Sequence, residues 1–354
     1  MLGCVSPSTA LLAVVKADAY GHGASACARA LERKVWGFGV SLVEEGIELR
    51  RAGVQAPIVV LGSFFGLGHR DVVAYRLTPV VSQVDDVERF GRALIDLGVK
   101  RFAVHLKIDT GMSRLGVQPG EVGSLLAAVA AQPLIEVSGV CTHLAEADTG
   151  SEAATELQLE RFARALSEVT AASRSPLVVH VANSAAIRRF PSTHRDLVRP
   201  GLALYGISPS DLASYPGLRP VLAWRTRVVA VRTVAPGVGV SYGGTFVAAA
   251  PTRIATIPIG YADGYHRRMS GRAEVLVRGV RCKVVGTITM DMAMVDCSAL
   301  PTVEIGDEVT LIGQQGQERI AATELAAWAD TIPWEIVCAI SKRVPRVYLG
   351  EAGR

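Results

Sequence analysis

Short runs of apolar, largely β-branched residues alternate with amphipathic stretches over roughly the first 200 positions of the chain. The apolar runs fall at 11–17, 36–41, 58–63, 78–82, 101–110, 136–144, 177–184 and 197–206, which makes eight strands. Between them, apolar positions recur at helical spacing. Val84, Val87, Phe90, Leu94 and Leu97 form one such stripe, and Leu159, Phe162, Leu166 and Val169 form another. Eight strands joined by helices predict an α/β fold, a (β/α)8 barrel of the TIM type. A doubly wound open sheet shares the alternation, but no G-x-G-x-x-G follows the first strand. Eight strands leave room for seven helices between them. About ten residues precede the first strand, and segment 208–220 after the last is rich in Pro, Ser and Gly, so no eighth helix is expected.

After Pro220 the texture changes to strands and turns, with strands expected at 221–234, 253–259, 273–287, 293–297 and 308–312 and one helix at 323–329. The predicted division is a barrel over 1–215 and a β-rich C-terminal domain over 216–354. Hydrophobic residues make up 49% and charged residues 20%, which excludes a disordered chain. A net charge of +4, evenly spread, gives no nucleic-acid footprint. No apolar run reaches the ~18 residues of a membrane span. The start, MLGCVSPSTALLAVVKA, lacks the basic opening of a signal peptide, so a cytoplasmic location is expected. The six cysteines form no CxxC pair; they read as reduced core residues, and no metal site is predicted.

In a barrel of this type the chemistry sits where strands end. Five strand ends carry polar residues: Lys16, Asp109 with Arg114, His143, Asn183 with Ser184, and Arg199. Lys16 closes the run LLAVVKA. A lysine ending a buried strand pays a desolvation cost that lowers its pKa and makes its amine usable for a Schiff base. Alternatively, its ammonium snorkels to solvent. The glycine-flanked loop that follows, with Asp18, Tyr20, Gly21, His22 and Gly23, looks like a pocket.

The run AVVKADAYGHGA resembles the pyridoxal-phosphate lysine motif of bacterial alanine racemases, of fold type III. HLKIDTGMSRLG, GVCTHLAEAD, HVANSAA, VRPGLALYGISP, VSYGGTF, IGYADGYHR, VGTITMDM and ISKRVPRVY follow in that family's order, covering roughly residues 11–349. The resemblance implies a pyridoxal-phosphate-binding barrel followed by a β domain. It makes Lys16 the residue that holds the cofactor and the base facing the D-alanine proton. Tyr242 becomes the base facing the L-alanine proton, reaching the cofactor from the other subunit of a homodimer. Arg199 is implied to bond the pyridine nitrogen, oriented by His180, with His143 against the ring and Asn183 near the ring hydroxyl. Tyr20, Ser184 and the backbone N–H groups of Gly201 and Leu202 are implied to hold the phosphate. A serine at position 184 also reads as a plain helix N-cap. Arg114, with the backbone at Met290, is implied to take the substrate carboxylate, beside Asp291; Tyr261 would line the substrate entrance. Lys107 matches a lysine that the family carbamylates, which would neutralise it beside Arg114.

The chain departs from the family pattern in two places. Family members usually have a helix and a strand ahead of the lysine motif, whereas fifteen residues precede Lys16 here, so a short N-terminus is expected. TIPWEIVC carries Trp334 where the family usually has a phosphate-binding tyrosine; indole N–H donates but cannot accept. The expected function is alanine racemisation, supplying D-alanine for peptidoglycan. The alternatives are a racemase of another or broader amino-acid set, such as serine, and a non-catalytic pyridoxal-phosphate carrier. A decarboxylase of the same fold type fits less well, because no cysteine occupies a comparable loop of the second domain.

Overall fold

The eight apolar runs become eight parallel strands hydrogen-bonded in chain order, and the first pairs with the last through Ala10↔Leu197 and Leu11↔Val198. The computed structural model describes residues 2–66, 68–149 and 151–350. It divides into two compact units, Met1–Leu218 and Arg219–Arg354.

In the first unit the strands are β1 (Ala10–Val14), β2 (Gly37–Val40), β3 (Ile58–Val60), β4 (Thr78–Val81), β5 (Phe102–Lys107), β6 (Ile135–Cys141), β7 (Val178–Asn183) and β8 (Leu197–Arg199). The connections carry α1 (Ala24–Leu31), α2 (Val43–Arg51), α3 (Gly68–Ala74), α4 (Val84–Asp96), α5 (Val122–Ala130), α6 (Glu152–Ala172) and α7 (Ser184–Arg189). Leu12, Val59, Val80, Cys141 and Leu197, from five different strands, pack in one buried cluster, so the barrel interior is filled rather than open. Strand β8 is shorter than its apolar run. Pro200 has no N–H to continue the ladder, and the chain turns into a 3-10 turn, Leu202–Tyr205.

The second unit is mostly antiparallel: β9 (Trp224–Arg227), β10 (Ala230–Val234), β11 (Gly239–Val240), β12 (Phe246–Val247), β13 (Thr252–Ile257), β14 (Glu274–Val277), β15 (Val280–Val285), β16 (Ala293–Asp296), β17 (Glu308–Gln315) and β18 (Glu318–Ile320). Helices α8 (Ala322–Ala329) and α9 (Pro333–Ala339) follow. The single strand expected over 221–234 is two strands, because the chain changes partner midway: Val228 N–H bonds to Asp307 and Val229 N–H to Thr256. The strand expected over 273–287 is a hairpin, turning at Arg278 (φ 49°) and Gly279 (φ 78°), both left-handed as a tight hairpin demands. Only Cys141, Cys282 and Cys297 are core residues; Cys4 and Cys338 are exposed, which corrects the all-core expectation. Among the described residues no helix is long and apolar enough to cross a membrane.

Candidate active site

Strand β1 ends at Val14, two residues before Lys16, so the lysine belongs to a turn and not to the strand itself. In that turn Ala17, Asp18, Ala19 and Tyr20 have φ of 51°, 53°, 54° and 54°. None is glycine, and each such residue costs roughly 1–2 kcal/mol. Tertiary contacts hold the turn. Ala17 N–H donates to Glu45 Oε1 at 2.7 Å, and Ala24 N–H to Asp18 Oδ1 at 2.7 Å. His22 Nδ1 lies 3.0 Å from Ala19 O and 2.9 Å from Tyr20 O; carbonyls only accept, so Nδ1 carries the proton. Tyr205 stacks on His22 (4.5 Å) and donates its hydroxyl to Val14 O at 2.8 Å, which ties the turn to the strand beneath it.

Tyr20 is buried and meets the β8 end at Gly201, where an added Cβ would lie 2.5 Å from the tyrosine hydroxyl oxygen. Only glycine permits that approach. Gly201 N–H donates to Ser184 Oγ at 2.8 Å, and Ala203 N–H reaches the same oxygen at 3.4 Å. Leu202 opens the 3-10 turn after Gly201. Asn183, not Ser184, caps α7: its Oδ1 accepts from Ala186 N–H at 2.9 Å, which leaves Ser184 as the first helical residue and corrects the plain N-cap reading. Tyr20, Ser184 and Gly201 thus gather hydroxyl and backbone donors at one glycine-cleared spot, which fits a phosphate. This is the observation on which pyridoxal phosphate suits the barrel mouth.

Arg199 is 5% exposed. Its Nη1 donates to His180 O (2.6 Å) and lies 3.1 Å from His180 Nδ1. Its Nη2 donates to Thr142 O (2.8 Å) and Val181 O (2.9 Å), and lies 3.3 Å from His143 Nδ1. Arginine has no acceptor, so His180 Nδ1 accepts and its proton sits on Nε2, while the two Nη2 hydrogens go to the two closer carbonyls rather than to His143 Nδ1. His180 Nε2 therefore donates to His105 Nδ1 at 2.9 Å, and His105 is fixed in the same tautomer. Burial, the largest cause, holds His180 and His143 well below the usual histidine range, with Arg199 adding to it; burial alone puts His105 at about 4. The guanidinium is thus held by neutral groups alone. His105 escaped the sequence reading, although it shares a strand face with Lys107 two residues on. Gly139 makes room for it, since a Cβ there would meet the imidazole at 2.7 Å.

Asp109 shapes the loop that carries Arg114. Its Oδ1 accepts from Gly111, Met112 and Ser113 N–H, each at 3.0 Å, and Arg114 follows, exposed. Lys107 is half-buried; burial pushes its pKa down, with Arg114 and Arg199 adding to the fall and Cys141 and Asp109 opposing it. Gln158 on α6 was also missed. Its side-chain amide donates to Thr110 Oγ1 (3.1 Å) and His143 O (3.2 Å) and accepts from Ala145 N–H (2.8 Å), stitching together the loops after β5 and β6. A glutamine within the buried stripe Thr155, Gln158, Phe162, Ala165, Val169 was the available signal.

The remaining residues lie in the second unit. Tyr242 opens a 3-10 turn and is 73% exposed; its carbonyl accepts from Thr287 Oγ1 at 3.0 Å. Tyr261 opens another, with its N–H on Thr289 O (3.1 Å) and Ala262 N–H on Met290 O (3.1 Å). A Cβ at Gly260 would come within 2.3 Å of those two carbonyls. Segment 287–290 thus joins the Tyr242 and Tyr261 turns. Met290 is exposed, and the Asp291 carboxylate pairs with Arg343 at 2.8 Å, which also pairs with Asp263 at 2.8 Å. Trp334 is half-buried in the first turn of α9. Among the described residues no group of three His, Cys, Asp or Glu could hold a metal.

The family model for "Alanine racemase, N-terminal domain" matches residues 2–209, and that for "Alanine racemase, C-terminal domain" matches residues 221–348. An alanine racemase of Symbiobacterium thermophilum is 49% identical over 352 residues, covering 98% of this chain and 92% of the relative. One of Halothermothrix orenii is 42% identical over 345 residues, covering 97% and 91%. Among solved structures, alanine racemase from the D-cycloserine producer Streptomyces lavendulae has a TM-score of 0.94 at 40% identity, covering 99% of this chain and 93% of that one. The Bacillus anthracis alanine racemase with bound L-Ala-P has a TM-score of 0.91 at 37% identity, covering 99% and 90%.

Proposed function

We propose, on the premise that this chain belongs to the alanine racemase family, that Lys16 and Tyr242 are the two bases with which it interconverts L- and D-alanine. Pyridoxal phosphate, when bound, supplies the electron sink that acidifies the substrate's Cα–H. Lys16 Nζ holds that cofactor and moves the proton on one face of Cα; the Tyr242 hydroxyl moves it on the other. Two bases are required, because a single fixed base returns the proton to the side it left. Tyr20, Ser184 and the Gly201 and Leu202 N–H groups hold the phosphate, with Trp334 beside it. His143 would pack against the ring, and Asn183 would sit near its hydroxyl. Arg199 would face the ring nitrogen with a donor that cannot release its proton, so it would not protonate that nitrogen. Arg114 and the Met290 backbone bind the substrate carboxylate, and Tyr261 narrows the approach. Carbon dioxide adding to the neutral Lys107 amine would form an N–C bond to a carbamate and release a proton to solvent, which would turn a like charge into an anionic partner for Arg114.

The observation that carries this reading is the neighbouring exit of Lys16 and Arg199. They leave β1 and β8, which Val14 N–H joins to Pro200 O at 3.0 Å. The exposed face with Tyr242, Tyr261, Met290 and Met292 supports a homodimer in which each barrel receives its tyrosine from the other chain. We place the enzyme in the cytoplasm, supplying D-alanine for peptidoglycan.

The test presents L-alanine, L-serine and L-lysine separately in D₂O, following loss of the α-proton signal by NMR and the product by chiral chromatography. Exchange with D-alanine formation, fastest for alanine, is expected. Equal rates on serine would favour a broader amino-acid range. Exchange with retention of configuration would contradict the two-base assignment.

A further inference from the structure

We propose that Glu45 is a positioning residue for Lys16: its carboxylate clasps the left-handed turn that aims the lysine, and does so from the start of a neighbouring helix. Glu45 is the third residue of α2. Its Oε2 accepts from Ser41 N–H (2.7 Å) and Leu42 N–H (3.0 Å), while its Oε1 accepts from Ala17 N–H (2.7 Å). The two oxygens therefore serve different segments. One closes the N-terminus of α2, where the N-cap residue, Leu42, has no side-chain acceptor of its own. The other holds the peptide immediately after Lys16, at the entrance to four consecutive left-handed residues. Ala17 is the first of the four left-handed residues, so the bond to its N–H fixes the peptide from which the Lys16 side chain departs. Asp18 and His22 hold the far end of the turn and leave this first peptide to Glu45.

The inference rests on Lys16 being the cofactor-bearing amine. It separates from simple helix capping because the two oxygens can be uncoupled. Leu42 is exposed and extended (φ −110°, ψ 154°), so Leu42→Asp supplies α2 with an ordinary side-chain cap and makes no bond to Ala17.

Glu45→Ala and Leu42→Asp/Glu45→Ala are compared with the parent chain by Tm, by amide exchange at Ala17 in the cofactor-free protein, and by kcat and KM for L-alanine. Glu45→Ala is expected to lower Tm, to speed Ala17 exchange at least about tenfold, and to lower kcat about ten- to a hundredfold with little change in KM. The double variant is expected to regain the Tm but neither the exchange protection nor the kcat. Recovery of all three by Leu42→Asp would overturn the inference, since Glu45 would then be a cap alone. Unchanged kcat and Ala17 exchange in Glu45→Ala would overturn it as well. If Glu45→Ala does not fold, Leu42→Asp/Glu45→Gln carries the same comparison. Borohydride capture of the cofactor on a lysine other than Lys16 in the parent chain would overturn the reading of Lys16 and this inference with it.

Discussion

Arg199, in the barrel, is 5% exposed, and its Nη1 and Nη2 donors go to carbonyls and an imidazole of its own chain, which leaves Nε–H for the ring nitrogen it is proposed to face. Tyr242, in the second unit, is 73% exposed, in a turn whose contacts run through the backbone. One half of the proposed site is finished within one chain: its tautomers follow donor by donor from an arginine that cannot accept, and its lysine turn is clasped on both sides. The other half presents its proposed base, the Tyr242 hydroxyl, to solvent. The difference teaches where the missing environment has to come from. We therefore propose that a base exposed in one copy acts in the barrel of a second, within a homodimer.

The predictions break or sharpen that contrast. Removing the barrel's amine acts most severely: Lys16→Ala loses racemisation by about 10⁴-fold or more and no longer yields a borohydride-trapped cofactor, read by visible absorbance and peptide mapping. Retained covalent capture would break the barrel half of the contrast. Next is Tyr242→Phe, expected to lower kcat about 10²–10³-fold with cofactor affinity unchanged, because the hydroxyl belongs to the exposed half alone. Weakened cofactor binding would show that the halves are not separate.

A smaller effect tests how dry the barrel network is. His105 is held at about 4, below the ordinary 6.5, by burial. The unfolded chain therefore binds the proton first, so the stability this histidine contributes is full above 6.5 and is lost as pH falls toward 4, at ~1.4 kcal/mol per pH unit. His105→Gln should flatten that slope by about one proton between about pH 6 and pH 5, measured by urea midpoints. An unaltered slope would mean that the histidine is not kept neutral. The mildest change is Trp334→Tyr, which restores a hydroxyl and should tighten cofactor binding by roughly two- to tenfold, the yield of one hydrogen bond. Looser binding would show that the indole is already the better fit.

The barrel was legible because eight buried parallel strands read as apolar runs and their helices as stripes such as Val87, Phe90 and Leu94, periods that tertiary context does not disturb. Boundaries were less so. The strand predicted to 17 stops at Val14, and from Ala17 the chain runs through a left-handed turn, held by Glu45 twenty-eight residues away, that Ala, Asp and Tyr do not prefer. The partner change at Val228 and Val229 is invisible for a related reason, since nothing local tells a continuous apolar strand from one that switches sheets. Residues with motif matches, such as Lys16 and Arg199, were named in advance. Supporting residues such as His105 and Gln158 were not, because a histidine in a strand or a glutamine on a helix shows its importance only through what it bonds.

The central claim is that a complete site draws Lys16 from one chain and Tyr242 from another, and mixing two dead variants tests it most directly. Lys16→Ala and Tyr242→Phe are purified separately, dissociated, mixed in equal amounts and reassociated, and D-alanine formation is measured. Half of the dimers are then mixed, and each mixed dimer holds one intact site of two, so about a quarter of the parent activity should return. If Tyr242 serves the barrel of its own chain, no dimer contains an intact site, and the mixture will stay as inactive as its components.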